Sequence, residues 1–374
     1  MFSFNEKPSI EKKLKILFLI GNYGVGGKER QLTELIKGIS DNYEIYLFTK
    51  NIESYLFEDI KRFLKNYVSL NRNHFKIYDI IILKNFIDII NPDVIYSFAK
   101  TTSNFALLIN ALRLNKIRLI NSSIRGAAIK FKSLLKIERL MYNFFSEVVS
   151  NSHKGLMSYK QSNKKGRYVF YNGFNSKRIP LTSKNDLQKK LGFESNKFNV
   201  IMVASMTKNK DQETFILAAK EVLKIEKLIK FYLIGDGNKR VHYEHHVKSL
   251  LLSDYIYFTG CVVNAEEYFK ASDLSILTSA KNHGEGISNS ILESLACGTP
   301  VIATDNGATN EIVHNNKNGY LVKSGDYYHL SKKIIYLRNN NELLNQFSFY
   351  GMNLILNKFS LENMINQFNK TMYH

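Results

Sequence analysis

Apolar residues along this chain come in short solid blocks, separated by longer stretches in which apolar positions return every three or four residues. A solid block reads as a strand buried on both faces, and the wider spacing as an amphipathic helix. The first series of blocks is ILFLI from Ile16, YEIYLFT from Tyr43, DVIYSF from Asp93, IRLINSS from Ile117 and EVVSNS from Glu147, with helices expected to begin near Lys28, Phe75, Thr102, Lys130 and Ser152. A second series follows: FNVIMVAS from Phe198, IKFYLIG from Ile229, IYFTG from Ile256, LSILTS from Leu274, PVIAT from Pro300 and GYLV from Gly319. Its helices are expected from Asp211, Asn238, Ala265, Ser288 and Asp326, then from Asn341 to Asn357, with a last stretch from Leu361 to Tyr373. Strict alternation of the two element types predicts an α/β chain with parallel sheets and crossover helices. Turn residues gather between Asn172 and Lys184. The expectation is therefore two facing Rossmann-like domains, residues 1–178 joined by 358–374, and residues 179–357.

The length of 374 residues fits two cores better than one. No apolar run reaches the roughly 18 to 20 residues of a membrane span, and the segment before Leu14 is polar, so a cytoplasmic protein without a signal peptide is expected. Cys261 and Cys297 have no metal-ligand spacing and are expected to be reduced thiols. A formal charge of +19 changes the picture more. Nucleic acid is not the expected partner, since zinc spacing, interleaved aromatics and a basic heptad region are all missing. Arg113, Lys116, Arg118, Arg125, Lys130, Lys132, Lys136 and Arg139 cluster around a stretch in which basic and apolar positions alternate, with Glu138 as its one acid. Peripheral contact with an anionic membrane surface and a solvated basic face both fit that pattern.

The chemistry concentrates in HGEGISNSILESLACGTPVIAT, His283 to Thr304. Glu285 lies in a turn with Gly284 and Gly286, which are expected to let the backbone approach a ligand; Ser288 and Asn289 are helix-capping types; and Glu293 sits on the helix that follows. A helix start offers N–H groups and a positive dipole end to a phosphate, and two carboxylates accept hydrogen bonds from ribose and hexose hydroxyls. Near the N-terminus, GNYGVGGKER follows the first strand. A P-loop is excluded because Asn22 and Glu29 stand where glycine and a hydroxyl are needed, and Glu29 also replaces the third glycine of a dinucleotide fingerprint.

Glu285, seven residues, Glu293, a small-residue helix, Gly298, Pro300 and a strand together resemble the donor-binding motif of the retaining glycosyltransferases of family 4. The resemblance covers most of the chain and is densest from about Val200 to Val322. It implies a metal-independent hexosyltransferase of the GT-B fold, without cofactor, whose donor is a nucleoside-diphosphate sugar, expected to be UDP-linked although no residue names the base. The implied donor site comprises Gly26, Gly27, Ser205, Lys210, Gly235, Gly260, Glu285, Gly286, Ile287, Ser288, Asn289 and Glu293. Lys210 and Glu285 are the implied catalytic residues. Lys210 would neutralise the leaving diphosphate, Glu285 would meet the hexose and Glu293 the ribose. Gly235 and Gly237 are expected to make room for the base, Asp236 to be a turn residue, and Glu311 to begin a short helix.

This sequence departs from the family at two places: Ser205 stands where an arginine usually precedes the lysine, with Lys208 or Arg30 as candidate substitutes, and Phe98 stands where a donor-sugar histidine is common. Arg125 and Arg30 are the candidate acceptor contacts, His283 is a further candidate beside Glu285, and the run His242, His245 and His246 reads as a polar helix face. The final helix is expected to cross back to the first domain. The implied reaction is front-face transfer of a hexose to a bacterial surface glycan, such as O-antigen, capsule or exopolysaccharide, with the departing phosphate taking the acceptor proton. The alternatives are a nucleotide-sugar epimerase of similar architecture and a catalytically silent binding scaffold.

Overall fold

The computed structural model describes residues 12–114, 117–127 and 132–373, the side chains of 132–135 excepted. Lys116, Lys130 and the side chain of Lys132, invoked above for the basic stretch, lie outside the described residues, as does the start of the helix expected near Lys130. The chain divides into two compact units, residues 1–123 with 142–148, and residues 124–141 with 149–374.

The first seven strands are β1 (Lys15–Tyr23), β2 (Glu44–Ile52), β3 (Leu64–Ser69), β4 (Val94–Ser97), β5 (Arg118–Ile124), β6 (Glu147–Ser150) and β7 (Arg167–Val169). They form one sheet in the order β3-β2-β1-β4-β5-β6-β7. The helices among them are α1 (Gly27–Ile39), α2 (Tyr55–Lys61), α3 (Asp79–Ile90), α4 (Lys100–Leu112), α5 (Lys132–Met141) and α6 (His153–Ser158). The five apolar blocks of the first series all become strands of this sheet. The sequence reading omits β3 and β7, which lie at its two edges. In the first unit, β1 contributes a run from Ile16 to Ile20 that is fully buried, and Phe18 packs against Tyr96 and Phe98.

The second sheet holds β8 (Phe198–Val203), β9 (Ile229–Ile234), β10 (Ile256–Gly260), β11 (Leu274–Leu277), β12 (Val301–Thr304) and β13 (Gly319–Val322). These six are the six blocks expected, and their order is β10-β9-β8-β11-β12-β13. Between and after them come α7 (Lys184–Leu191), α8 (Gln212–Leu223), α9 (Arg240–Ser249), α10 (Ala265–Ala271), α11 (Asn289–Ala296), α12 (Tyr327–Arg338), α13 (Asn341–Lys358) and α14 (Leu361–Met372). Every neighbouring pair in this sheet is parallel. The core of the second unit packs Phe215, Ile216 and Val222 of α8, with Ile291, Leu292 and Leu295 of α11, onto Val200, Phe231, Ile276 and Ile302 of the strands.

The order of the second sheet matters for function. From β8 the chain winds outward through β9 to β10, then returns to β11 beside β8 and winds the other way. The loops leaving β8 and β11 therefore diverge at a topological switch point, where open α/β sheets form a crevice for ligands. Before α14, the chain at Phe174 runs alongside Ser360, with the Phe174 N–H donating to Phe359 O and the Leu361 N–H to Phe174 O.

Candidate active site

Lys210 ends the loop that leaves β8, and the N-cap of α8, Asp211, follows it, accepting from the Thr214 N–H through its side chain at 3.1 Å. Glu285 lies in the loop that leaves β11. The switch point brings the two together: Lys210 Nζ pairs with Glu285 Oε1, and Ser279 Oγ donates to the same oxygen. His283 Nε2 stands 3.5 Å from it. Burial pushes the Glu285 carboxyl up, but the charge of Lys210 and the hydrogen bond and charge of His283 outweigh it, and the group falls from 4.5 to about 2. Glu285 is thus an ionised hydrogen-bond acceptor at neutral pH, with no proton to give.

Other contacts fix the loop around it. Ala308 N–H donates to Glu285 O at 2.8 Å, Asn306 Nδ2 to Ala280 O at 2.8 Å, and Ser290 Oγ to Val203 O at 2.8 Å, which ties the first turn of α11 to the end of β8. Asn172 Nδ2 donates to Ile287 O at 2.8 Å and Asn289 Oδ1 at 2.9 Å, while Arg125 Nη1 donates to Asn172 Oδ1 at 3.4 Å. Arg125, the candidate acceptor contact, therefore reaches the residue that pins Ile287 and Asn289.

At several of these positions the structure shows what each residue does within the chain. Gly284 and Gly286 are required by the chain itself: a Cβ on Gly284 would lie 1.9 Å from Ala127 O, and one on Gly286 would lie 2.4 Å from Arg125 O. Both segments belong to the second unit, and their backbones interleave too tightly for any side chain. Gly235 and Gly237, with φ of 130° and 157°, likewise face Ala204 O and Met206 O. Ser288 occupies the N-cap position of α11, yet its side chain makes no capping bond, and Asn289 spends its side chain on Asn172. The side chain at the N-cap thus makes no bond to the first turn of α11, and a helix start is the kind of place that suits a phosphate. Glu311 closes a 3-10 turn (Thr309–Glu311) instead of opening a helix. Its carboxylate accepts from the N–H groups of His153 and Lys154 at the start of α6 and from Tyr171 Oη.

Ser205 is exposed, and its carbonyl accepts from Gln212 Nε2 at 3.0 Å. Asp236 is a turn residue, accepting from the Gly237 N–H and pairing with Arg240. Gly260 ends β10, and its carbonyl accepts from the Gly235 N–H. His246 of the histidine run pairs with Glu213. Among the described residues, no group of three or more His, Cys, Asp and Glu is arranged to hold a metal ion. In the first unit, Gly26 is the N-cap of α1, Gly27 its first residue, and Arg30 Nη2 donates to Tyr55 Oη at 3.2 Å. Phe98 is a buried core residue, which suits an aromatic side chain and leaves no polar role at that position.

Glu293, on α11, is buried, and sequence reasoning missed its partners. Arg178 Nη2 lies 3.0 Å from Glu293 Oε1 and also pairs with Glu266 Oε1. The three residues come from the turn after Asn175, from α10 and from α11, and no local spacing links them.

An ion-paired lysine and glutamate at the switch point of a parallel sheet, followed by a helix start, form the kind of crevice in which open α/β folds bind ligands. Residues 183–353 match the family model described as Glycosyl transferases group 1. The chain is 27% identical over 397 residues to an uncharacterized glycosyltransferase of Methanocaldococcus jannaschii, covering 96% of this chain and 98% of that protein. It is 25% identical over 345 residues to the GalNAc-alpha-(1->4)-GalNAc-alpha-(1->3)-diNAcBac-PP-undecaprenol alpha-1,4-N-acetyl-D-galactosaminyltransferase of Campylobacter jejuni, covering 87% and 89%. In structure it is similar to HepE of Anabaena, solved in complex with UDP and glucose, with a TM-score of 0.83 at 19% identity over 96% of this chain and 99% of that one. The fold is GT-B and the chain is a glycosyltransferase, and the segment similar to the group 1 model holds all six strands of the second sheet.

Proposed function

We propose that this glycosyltransferase is a retaining hexosyltransferase of family 4 that moves a hexose from a nucleoside-diphosphate sugar to a bacterial surface-glycan acceptor, which a polyprenyl diphosphate lipid can carry. The observation that carries this reading is the Lys210–Glu285 pair at the switch point between β8 and β11. The diphosphate would lie at the start of α11 and beside Lys210, whose charge offsets the negative charge that grows as the sugar bond breaks. Glu285, held ionised by Lys210 and His283, would accept hydrogen bonds from hexose hydroxyls, and Glu293 would accept from the ribose. A carboxyl with a pKa of about 2 is a poor base as well as no acid. The acceptor proton then goes to the departing phosphate on the same face, which retains configuration.

The domain boundary in this reading falls at 178/179, with residues 358–374 assigned to the first domain. Among the described residues, no helix is long and apolar enough to cross a membrane. Contact with the inner face of the cell membrane is supported by α5, where Ile137 and Leu140 are 59% and 60% exposed next to exposed Lys136. The test is incubation with a panel of nucleoside-diphosphate sugars, with and without membrane lipid extract. Nucleoside diphosphate released only with the extract supports transfer; interconversion of free sugar nucleotides, or no reaction with any donor, overturns it.

A further inference from the structure

Glu293 does not stand alone in the structure. Its Oε1 is taken by Arg178, while among the described residues no protein donor reaches its Oε2. Arg178 is itself fixed from two other sides. Glu266, buried in the first turn of α10, forms an ion pair with the same guanidinium nitrogen, and the guanidinium carbon lies 5.5 Å from the centroid of the Phe174 ring, a buried core side chain. The Arg178 side chain is 17% exposed, and those of Glu266 and Glu293 are 5% and 9% exposed. A guanidinium whose Nη2 is shared by two carboxylates and which packs at an aromatic ring has a restricted orientation, and so does each carboxylate.

We infer that Arg178, anchored by Glu266, is the positioning residue that leaves Glu293 Oε2 turned to the ribose diol of the donor. This rests on the reading of Glu293 as the ribose ligand. The geometry gives Glu266 a definite task. Its charge draws Arg178 toward α10, so that one nitrogen meets Glu293 and one oxygen stays open. Without that charge, the guanidinium is free to close on Glu293 as a two-pronged fork and cover both oxygens. A lysine at 178 carries its charge on a flexible stem and lacks the plane that packs at the Phe174 ring, so it does not hold the two carboxylates in one fixed arrangement. A merely structural ion pair would give a different result, because buried pairs are often replaceable without loss of function.

The experiment measures dissociation constants for uridine diphosphate, or for the nucleoside diphosphate that binds best in a panel, and for its 2′,3′-dideoxy counterpart. The native chain should bind the ribose form at least about tenfold more tightly, as expected for hydroxyls donating to a charged acceptor. Glu293→Gln should bring this ratio close to one. Glu266→Gln and Arg178→Lys should bring it below about threefold while the dideoxy form binds as in the native chain. Glu266→Gln is nearly isosteric and carries the test alone if Arg178→Lys fails to fold. A native chain that binds no nucleoside diphosphate overturns the donor-site reading itself. A native chain that does not discriminate, or a Glu293→Gln variant that still does, overturns the ribose role and this inference with it. Loss of discrimination in Glu293→Gln alone, with Glu266→Gln keeping the native ratio, overturns only the positioning by Arg178 and Glu266.

Discussion

Replacing Lys210 by methionine keeps most of the stem and removes the charge, which isolates what the ion pair with Glu285 contributes. The Glu285 carboxyl falls from 4.5 to about 2 on folding, equivalent to about 3 kcal/mol of preference for the charged form. The sign follows from the lowered value: that stability is fully present above pH 4.5 and is lost as the pH falls toward about 2. In Lys210→Met the carboxylate stays buried with Ser279 and His283 but without its cation, so burial dominates and the pKa rises. Removing one partner of a buried pair commonly costs about 3–5 kcal/mol. For a unit of this size, that is a fall of roughly 6–15 °C in the melting transition that reports the second sheet at pH 7. The gap from the native chain should narrow as the pH is lowered from 7 toward 3.5, because the variant no longer buries a charge and the native chain loses its advantage. Lys210→Met/Glu285→Gln should recover most of the loss. Fluorescence- and calorimetry-detected melting across that range checks all three statements, and nucleoside diphosphate release should drop about 10²- to 10³-fold in Lys210→Met. A melting temperature unchanged at pH 7, or near-native transfer, would refute the reasoning.

Three further outcomes are expected. Glu285→Ala should impair transfer more than binding of bare nucleoside diphosphate, measured by turnover and by calorimetric titration; equal losses would argue for a structural role only. Ser205→Arg should be tolerated, since Ser205 is exposed and contributes its carbonyl to Gln212, and it should raise nucleoside diphosphate affinity if a second cation completes the phosphate site. Gly284→Ala should destabilise the chain by roughly 1–3 kcal/mol, read as a lower melting temperature, because the added carbon meets Ala127 O and a backbone atom cannot step aside.

The apolar blocks of the sequence, from ILFLI to GYLV, by themselves determined eleven of the thirteen strands, since a strand with most of its positions buried shows as a concentrated apolar run. The two that escaped, β3 and β7, are edge strands. LKNYVS has three exposed positions in a row, and RYV is too short for any period to register, so neither carries the signature of burial. Lys210 and Glu285 were legible as individual residues because a helix start and a glycine turn mark them locally. Their pairing was not, because it depends on β11 returning beside β8, a choice made by the whole sheet. The same holds for the glycines of the donor loop: the sequence shows that a close approach is needed at Gly284 and Gly286, and only the fold shows that the approaching atoms are the carbonyls of Ala127 and Arg125. Arg178, Glu266 and Glu293 lie in three segments with no shared period. They meet only because α10 and α11 are packed on one sheet beside the turn that carries Arg178. Local patterning reports how each residue is buried, whereas the partner with which a buried charge is paired is decided by the path of the chain through space.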